Sequence, residues 1–336
     1  ILKMGNKINN IQALRFFAAF SVALFHLPFI KHGSWGVDFF FVISGFIMAY
    51  ISENRTKHFL LKRLIRIIPL YWILSIAIFL MAMLKPEVLN FTTANYGHLL
   101  KSILFIPFDK DGAGHFPILF LGWSLNYEFL FYIIFTLSLF FFKKKRTLVC
   151  SFILILIFMF STKFSDKNFI LQVYSSSIIL EFIYGMLIYE FFKLKTKNGT
   201  INVNINATDI FLMFLTFFTA SLSLYFKSTD IFDVPRIFTY GMLGAFLLLF
   251  FLLILKNNFF PKVFVLLGDA SFSIYLIHPF IIQFFYKISP FDSSNFFFSL
   301  VVGFVAIVFT LFISILVYSN FEKPLNIKIK KFLGIV

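Results

Sequence analysis

Long apolar segments constrain the fold of this chain more than any other feature. Ten such segments occupy much of the 336-residue sequence. Most of them have the length of roughly 17 to 25 residues that crosses a bilayer as an α-helix. Because 60% of the residues are hydrophobic and only 13% are charged, a soluble core could not bury this sequence. We therefore predict an all-α, polytopic membrane protein with about ten transmembrane helices in one bundle. The predicted segments cover residues 11–29, 36–52, 67–84, 118–142, 147–162, 170–192, 208–226, 236–255, 268–287 and 295–318.

The distribution of basic residues predicts the orientation of these segments. The sequence has 30 Lys and Arg against 15 Asp and Glu, a formal charge of +15. Outside the apolar segments, 20 basic residues fall on the side of the N-terminus and 9 fall on the opposite side. The positive-inside rule then favours both termini in the cytoplasm. Because topology and anionic lipid head groups account for the basic excess, we expect no nucleic-acid partner.

The sequence has no features that would indicate separate domains or a metal site. No internal repeat or low-complexity linker divides it, so we predict one membrane domain over residues 1–336 with its core at 11–324. A single cysteine, Cys150, excludes an internal disulfide and any metal cluster held by several thiolates. No histidines or carboxylates have the spacing of metal ligands, and we expect no metal.

Ionisable side chains inside apolar segments indicate where the chemistry lies, because each is costly in lipid and usually faces a partner or a wet cavity. Arg15 and His26 lie in the first segment, eleven positions apart. At about 100° per residue, this spacing brings both side chains to one face of a helix, about 16 Å apart along its axis. If the pair stood alone, a lipid-anchored arginine and a hydrogen-bonded core histidine would be the favoured interpretation.

Three further ionisable residues interrupt apolar sequence. Asp38 lies near the start of the second segment, where its carboxylate could pair with the arginine or the histidine of the first segment. Glu128 ends the motif Trp-Ser-Leu-Asn-Tyr-Glu in the fourth segment. His278 precedes a proline in the ninth segment, and a helix break or a structural or positioning role is its favoured interpretation.

Arg63 and Arg66 precede the third apolar segment at the predicted cytoplasmic surface. Residues three apart project from the same side of a helix. Two guanidinium groups in this arrangement suit the phosphates of a soluble ligand, and lipid phosphate is an equally weighted alternative.

Five motifs in order resemble those of the acyltransferase-3 family of integral membrane O-acyltransferases. The resemblance extends from Ile11 to Pro324. Any one motif is weak evidence, but the five together are specific. The matching positions are Arg15 with His26, then 36–46, 63–69, 271–279 and 322–324.

Three departures from the family pattern are present, and two of them bear on the acceptor and on the mechanism. Phe129 stands where many members carry a second glutamate, and this version of the motif resembles the exopolysaccharide acetyltransferase branch, which implies a sugar acceptor. Phe272 replaces a tyrosine of the family pattern. Because only twelve residues follow Pro324, we expect no fused extracytoplasmic domain of the kind that some relatives carry.

The resemblance implies a membrane enzyme of the bacterial cytoplasmic membrane. It would move an acyl group, most commonly acetyl, from cytosolic acyl-CoA to a hydroxyl of a surface or exopolysaccharide sugar, free or lipid-linked. His26 would be the general base, with Arg15, Asp38 and Glu128 completing the catalytic group. Direct transfer and a transient acyl-histidine are both open at this point.

Arg63 and Arg66, with Arg15 further along the path, would bind the phosphates of the acyl-CoA donor. On residue spacing alone, two other classes of protein remain open. A transporter or flippase of a lipid-linked sugar also has many spans and buried charges, although it usually has inverted repeats that this sequence lacks. A non-catalytic receptor or assembly partner would not need Arg15 and His26 to be intact.

Overall fold

Helices make up most of the fold. The computed structural model describes residues 2–3, 7–31, 33–54, 56–89, 92–110, 112, 114–197, 200–201, 205–228, 234–255, 259–289 and 296–335. The α-helices there are α1 (Asn9–Phe25), α2 (Gly36–Ser52), α3 (Phe59–Leu84), α4 (Tyr96–Ile103), α5 (Gly122–Phe141), α6 (Arg146–Lys163), α7 (Phe169–Tyr174), α8 (Glu181–Leu194), α9 (Ala207–Ser228), α10 (Met242–Leu253), α11 (Lys262–Asp269), α12 (Ser271–Ile288), α13 (Phe296–Val317) and α14 (Lys323–Phe332).

Short elements of other kinds accompany the α-helices. Strands β1 (Leu2–Lys3), β2 (Thr196–Lys197) and β3 (Thr200–Ile201) pair antiparallel in the order β1-β3-β2. Single π-helical turns over Ile237–Gly241 and Tyr318–Glu322 precede α10 and α14. The helical class predicted from the sequence is confirmed, with this small sheet as an addition.

The predicted number of about ten membrane spans is not confirmed. By length and composition, five helices of the described chain could each cross a membrane, and α11 with α12 would make a sixth span bent by 74°. Two further apolar helices are shorter than these: α2 (Gly36–Ser52), and α10 together with the π-helical turn before it (Ile237–Leu253). The five long helices are Phe59–Leu84, Gly122–Phe141, Arg146–Lys163, Ala207–Ser228 and Phe296–Phe332. The last of these combines α13, the π-helical turn that follows it and α14.

Local breaks explain why the helices differ from the predicted segments. A 3₁₀ turn over Ser177–Leu180 divides the predicted segment 170–192 into α7 and α8. Ser175, in a run of three serines at this break, donates its hydroxyl hydrogen to the carbonyl of Gln172. Serine side chains that bond nearby backbone groups compete with the helical hydrogen bonds. An apolar run is therefore not always one helix.

The outer surface of the long helices suits lipid. In α9 the buried side chains are Asp209 and Ala220, whereas large apolar side chains such as Phe211, Phe214 and Phe218 are exposed. Apolar area of this extent would be unfavourable in water. The protein is therefore an integral membrane protein.

The chain forms two compact units. The first consists of residues 1–54 and 181–324, and the second of residues 55–180 and 325–336. Each unit combines segments that are distant in sequence. The single domain predicted over residues 1–336 stays a prediction.

Glycines bring α2 and α8 of the first unit into close contact. A Cβ atom added at Gly45 would lie 2.1 Å from the carbonyl oxygen of Phe182, and one added at Gly185 would lie 1.9 Å from that of Val42. Small residues allow this approach of two backbones, which is a common way to join helices in membranes. The contact fixes α2, which carries Asp38, against the start of α8.

We expect Gly185→Ala to destabilise the first unit by roughly 1 to 3 kcal/mol, the usual effect of overpacking, because a methyl group here meets backbone that cannot rotate away. Thermal unfolding of the purified protein in detergent measures the effect. Gly97→Ala is the control, since its nearest contact is the side-chain oxygen of Asn95 at 3.1 Å. Equal unfolding temperatures for the two variants would contradict the packing described here.

In the second unit, α3 and α4 pack near the start of α5. Gly122 packs against the ring of Tyr71, whose hydroxyl would lie 2.4 Å from an added Cβ atom. That hydroxyl donates a hydrogen bond to the carbonyl of Ser102 at 3.2 Å. These contacts fix the helix that carries Glu128.

Candidate functional site

Hydrogen bonds at two levels connect α1 to α12 in the first unit. The Nη2 atom of Arg15 donates to Oγ of Ser271 at 2.7 Å. Nearer the other end of α1, Nδ1 of His26 lies 3.2 Å from Nε2 of His278. Ser271 and His278 are seven positions apart, about two helical turns, and so share one face of α12. The shared face predicted for Arg15 and His26 is confirmed, and it packs against α12.

His26 directly follows the last residue of α1 and is half-buried. Its Nδ1 atom lies 2.8 Å from the carbonyl oxygen of Val22. A carbonyl oxygen only accepts, so we assign the proton of the neutral ring to Nδ1 from this hydrogen-bond pattern. The lone pair of His26 then lies on Nε2, which is the atom that can take a proton.

His278 is fully buried in α12. Its Nδ1 atom lies 3.0 Å from the carbonyl oxygen of Ile274, and its ring lies 4.7 Å from that of His26 between centroids. The helix continues through Pro279 to Ile288, so the predicted helix break at this position is wrong. Neighbouring helices can accommodate the missing N–H of a proline in a membrane helix.

Arg15 is buried near the N-terminal end of α1. Its Nη1 atom donates to Oε1 of Gln12 at 2.9 Å, in addition to the bond with Ser271. Because α1 is continuous, Arg15 stays about 16 Å from His26 along the axis. A group that stabilises an oxyanion must lie about 3 Å from it, so the two residues cannot both touch one reacting carbonyl. The catalytic role of Arg15 stays a prediction.

Asp38 is paired with Arg236. The Nε and Nη2 atoms of Arg236 donate to the two carboxylate oxygens at 2.6 Å each, and Nη2 also donates to the carbonyl of Ser34 at 3.0 Å. The predicted pairing of Asp38 with Arg15 or His26 is therefore wrong. The planar guanidinium matches both oxygens of a carboxylate at once, which makes this pair geometrically specific.

Glu181 adds a second carboxyl group to this pair. It is fully buried at the start of α8 and interacts electrostatically with both Asp38 and Arg236. Its side chain also packs 3.0 to 3.2 Å from the position of a Cβ atom on Gly241, at the end of the π-helical turn. Glu181 is not among the predicted site residues, although it is an acid within an apolar segment, the same signal that identified Asp38 and Glu128.

Glu128 belongs to the second unit, as do Arg63 and Arg66. The hydroxyl of Tyr132, one turn further along α5, donates to the Glu128 carboxylate. Tyr132 is buried and within electrostatic reach of Arg63 and Arg66. The predicted contact of Glu128 with His26 stays a prediction.

Lys330 of α14 completes a basic cluster with Lys62, Arg63 and Arg66. Lys330 is half-buried and lies within electrostatic reach of the other three side chains. From the sequence, Lys330 was predicted only to lie among the basic residues on the cytoplasmic side of the membrane. Four cations gathered in one unit can hold a ligand with several phosphates.

Asn126 is a buried amide in the same helix as Glu128. Its exposed fraction is 1%, and neither polar atom of its side chain has a hydrogen-bond partner among the described residues. A buried group of this kind requires an explanation, which is often a bound water or ligand. In the described parts of the chain, no group of three or more His, Cys, Asp or Glu could hold a metal ion.

Comparisons with known proteins agree with these motifs. Residues 8–319 match the acyltransferase domain family. The chain is 33% identical over 261 residues to the exopolysaccharide production protein ExoZ of Rhizobium meliloti, covering 75% of this chain and 77% of that protein. It is 29% identical over 158 residues to the peptidoglycan O-acetyltransferase OatA of Listeria monocytogenes, covering 41% of this chain and 25% of that protein. No solved structure matches. The chain belongs to the acyltransferase-3 family.

Proposed function

We propose that this protein transfers an acyl group, acetyl in the first instance, from cytosolic acyl-CoA to a hydroxyl of an exopolysaccharide sugar. The similarity to an exopolysaccharide production protein over most of both chains supports the sugar acceptor. The similarity to a peptidoglycan O-acetyltransferase supports acetyl transfer to oxygen. The observation that carries the chemistry is the hydrogen bonding of His26 through Nδ1, which leaves Nε2 as the basic atom.

His26 acts as the general base in this proposal. Its Nε2 takes the proton of the sugar hydroxyl as the hydroxyl oxygen attacks the thioester carbonyl. The carbon–sulfur bond then breaks, and the imidazolium returns the proton to the leaving thiolate. One ester and the free thiol of CoA are formed. General-base catalysis of this kind contributes typically about 10²- to 10⁴-fold to the rate.

Arg63 and Arg66 hold the phosphates of the donor. Phosphate binding by arginine is charge-assisted and often bidentate, which suits a fork of two guanidinium groups. Acyl-CoA is cytosolic, so in this proposal Arg63 and Arg66 bind the donor at the cytoplasmic side of the bacterial cytoplasmic membrane. The N- and C-termini lie on that same side. The 20 to 9 distribution of basic residues supports this orientation.

We expect Arg66→Ala to raise KM for acetyl-CoA about 10- to 100-fold, the equivalent of losing one charge-assisted hydrogen bond of about 1.5 to 3 kcal/mol. The value of kcat should change less, because the phosphates are remote from the thioester. Initial rates over a range of acetyl-CoA concentrations measure both constants. Lys57→Ala removes an exposed cation near the same helix start and is the control. An unchanged KM for Arg66→Ala would contradict the assignment.

Release of the CoA thiol tests the function itself. We expect purified protein in detergent or lipid to release thiol from acetyl-CoA when an exopolysaccharide acceptor is added, and to attach labelled acetyl to that acceptor. A transporter would move the sugar across a vesicle membrane and leave acetyl-CoA intact. Sugar movement without acyl transfer would overturn the proposed function.

A further inference from the structure

We propose that His278 is the positioning residue for His26, and that its Nε2 atom accepts the hydrogen bond of the His26 Nδ1–H. The inference rests on the proposed function, in which His26 is the base. It gives His278 one of the tasks that a carboxylate performs in a Ser-His-Asp triad, which is to hold the orientation of the catalytic imidazole.

The backbone around the two rings determines where their protons lie. The Nδ1 atoms of His26 and His278 each lie within 3.0 Å of a carbonyl oxygen, those of Val22 and Ile274 respectively. Each neutral ring therefore carries its proton on Nδ1. Nε2 of His278 then bears a lone pair, and it lies 3.2 Å from Nδ1 of His26. The proton on Nδ1 of His26 is thus shared between the Val22 carbonyl and His278.

Burial distinguishes the roles of the two histidines. His278 is fully buried, and its Nε2 atom faces His26. His26 is half-buried, so a substrate hydroxyl can approach its ring but not that of His278. The proton acceptor towards the substrate is therefore His26, and His278 acts through it.

Asp38 does not serve as the orienting carboxylate of a triad. Asp38, the carboxylate closest to His26 in sequence, is bound on both oxygens by Arg236. A neutral imidazole acceptor orients His26 without adding a buried negative charge, which would be costly in an apolar bundle. The hydrogen bond between Arg15 and Ser271 joins the same two helices further along and helps to keep the rings in register.

Kinetics of His278 variants test this role. We expect His278→Leu to lower kcat about 10- to 100-fold, the size of effect seen when the hydrogen-bond partner of a functional histidine is removed. KM for acetyl-CoA should not change. His278→Gln should retain more activity than His278→Leu, because the end of its side chain can place an oxygen acceptor near the position of Nε2. Equal kcat values for wild type and His278→Leu would overturn the inference, and so would a rise in KM alone.

The hydrogen bonding of the His26 ring provides a readout that does not depend on turnover. The chain has six histidines, so ¹⁵N-histidine labelling with solid-state NMR, assigned by the loss of one signal in His26→Ala, isolates its ring. Because the Val22 carbonyl keeps the proton on Nδ1 in every variant, we expect the Nδ1–H tautomer throughout, with a changed Nδ1 chemical shift in His278→Leu and a smaller change in His278→Gln. An Nδ1 shift that is the same in all three would overturn the inference. If His26→Ala itself keeps wild-type kcat for acyl transfer, the assignment of His26 as the base fails, which is a different result.

Discussion

His26→Ala is expected to lower kcat for acyl transfer by about 10²- to 10⁴-fold, the usual contribution of a general base. Without the imidazole, the sugar hydroxyl must attack with its proton in place or lose it to water. KM for acetyl-CoA should stay near the wild-type value, because the residues assigned to the phosphates are unchanged. Steady-state rates at matched protein concentration measure both constants.

A histidine outside the proposed site is the control for this prediction. His58 is exposed and has a φ of 51°, a conformation that asparagine tolerates better than most residues. His58→Asn should therefore fold normally and keep wild-type kcat. If His26→Ala also keeps wild-type kcat, His26 is not the base.

Arg236→Met is expected to destabilise the protein by up to about 3 to 5 kcal/mol, because it leaves the fully buried Asp38 without its cation. Asp38 has no exposed surface, and Glu181 beside it is also fully buried. Removal of the guanidinium leaves two buried carboxyl groups with no cation bound to Asp38. Thermal or chemical unfolding of the purified protein measures the loss.

A double variant separates this effect from a simple loss of packing. Arg236→Met combined with Asp38→Leu should recover much of the stability, because no uncompensated charge remains. Lys7→Ala is the control ion pair, since Lys7 and Asp269 are 2.6 Å apart but partly exposed. Its loss should cost only about 0 to 1 kcal/mol. If Arg236→Met is as stable as Lys7→Ala, the Arg236–Asp38 pair does not have the importance assigned to it.

The face of α1 was predictable from sequence because it depends only on helical periodicity. Arg15 lies in α1 and His26 directly follows its last residue, so their relative direction follows from the number of residues between them. The partner of that face was not predictable in the same way. Ser271 is 256 positions and His278 is 252 positions away from the residues they bind, and only the folded chain brings them together.

The partner of Asp38 illustrates the same limit. Sequence proximity favoured Arg15 or His26, but Arg236 lies 198 positions away and binds both oxygens. In the sequence, Arg236 appears at the edge of an apolar segment, where a cation commonly marks topology. Glu181 could have been predicted from the sequence, because it is an acid inside a predicted apolar segment.

The predicted number of about ten spans is not confirmed, and there is a physical reason why hydropathy alone does not give this number. An apolar run can form one membrane helix, a short helix or two helices separated by a turn, and hydropathy does not distinguish these cases. The sequence Asp269-Ala270-Ser271 lies in apolar surroundings, yet α11 and α12 meet there at 74°. Family membership, in contrast, rests on motifs in order. It resolves the choice between acyltransferase and transporter that spacing alone left open.

The O-acyl content of the surface polysaccharide tests the central claim most directly. Proton NMR of polysaccharide from a deletion strain would compare complementation by the wild-type chain and by His26→Ala at equal membrane levels. We predict that acetyl signals return with the wild type only, and that the shifted sugar resonance identifies the acceptor. Equal acetylation with both chains, or no acyl group that depends on this protein, would contradict the account.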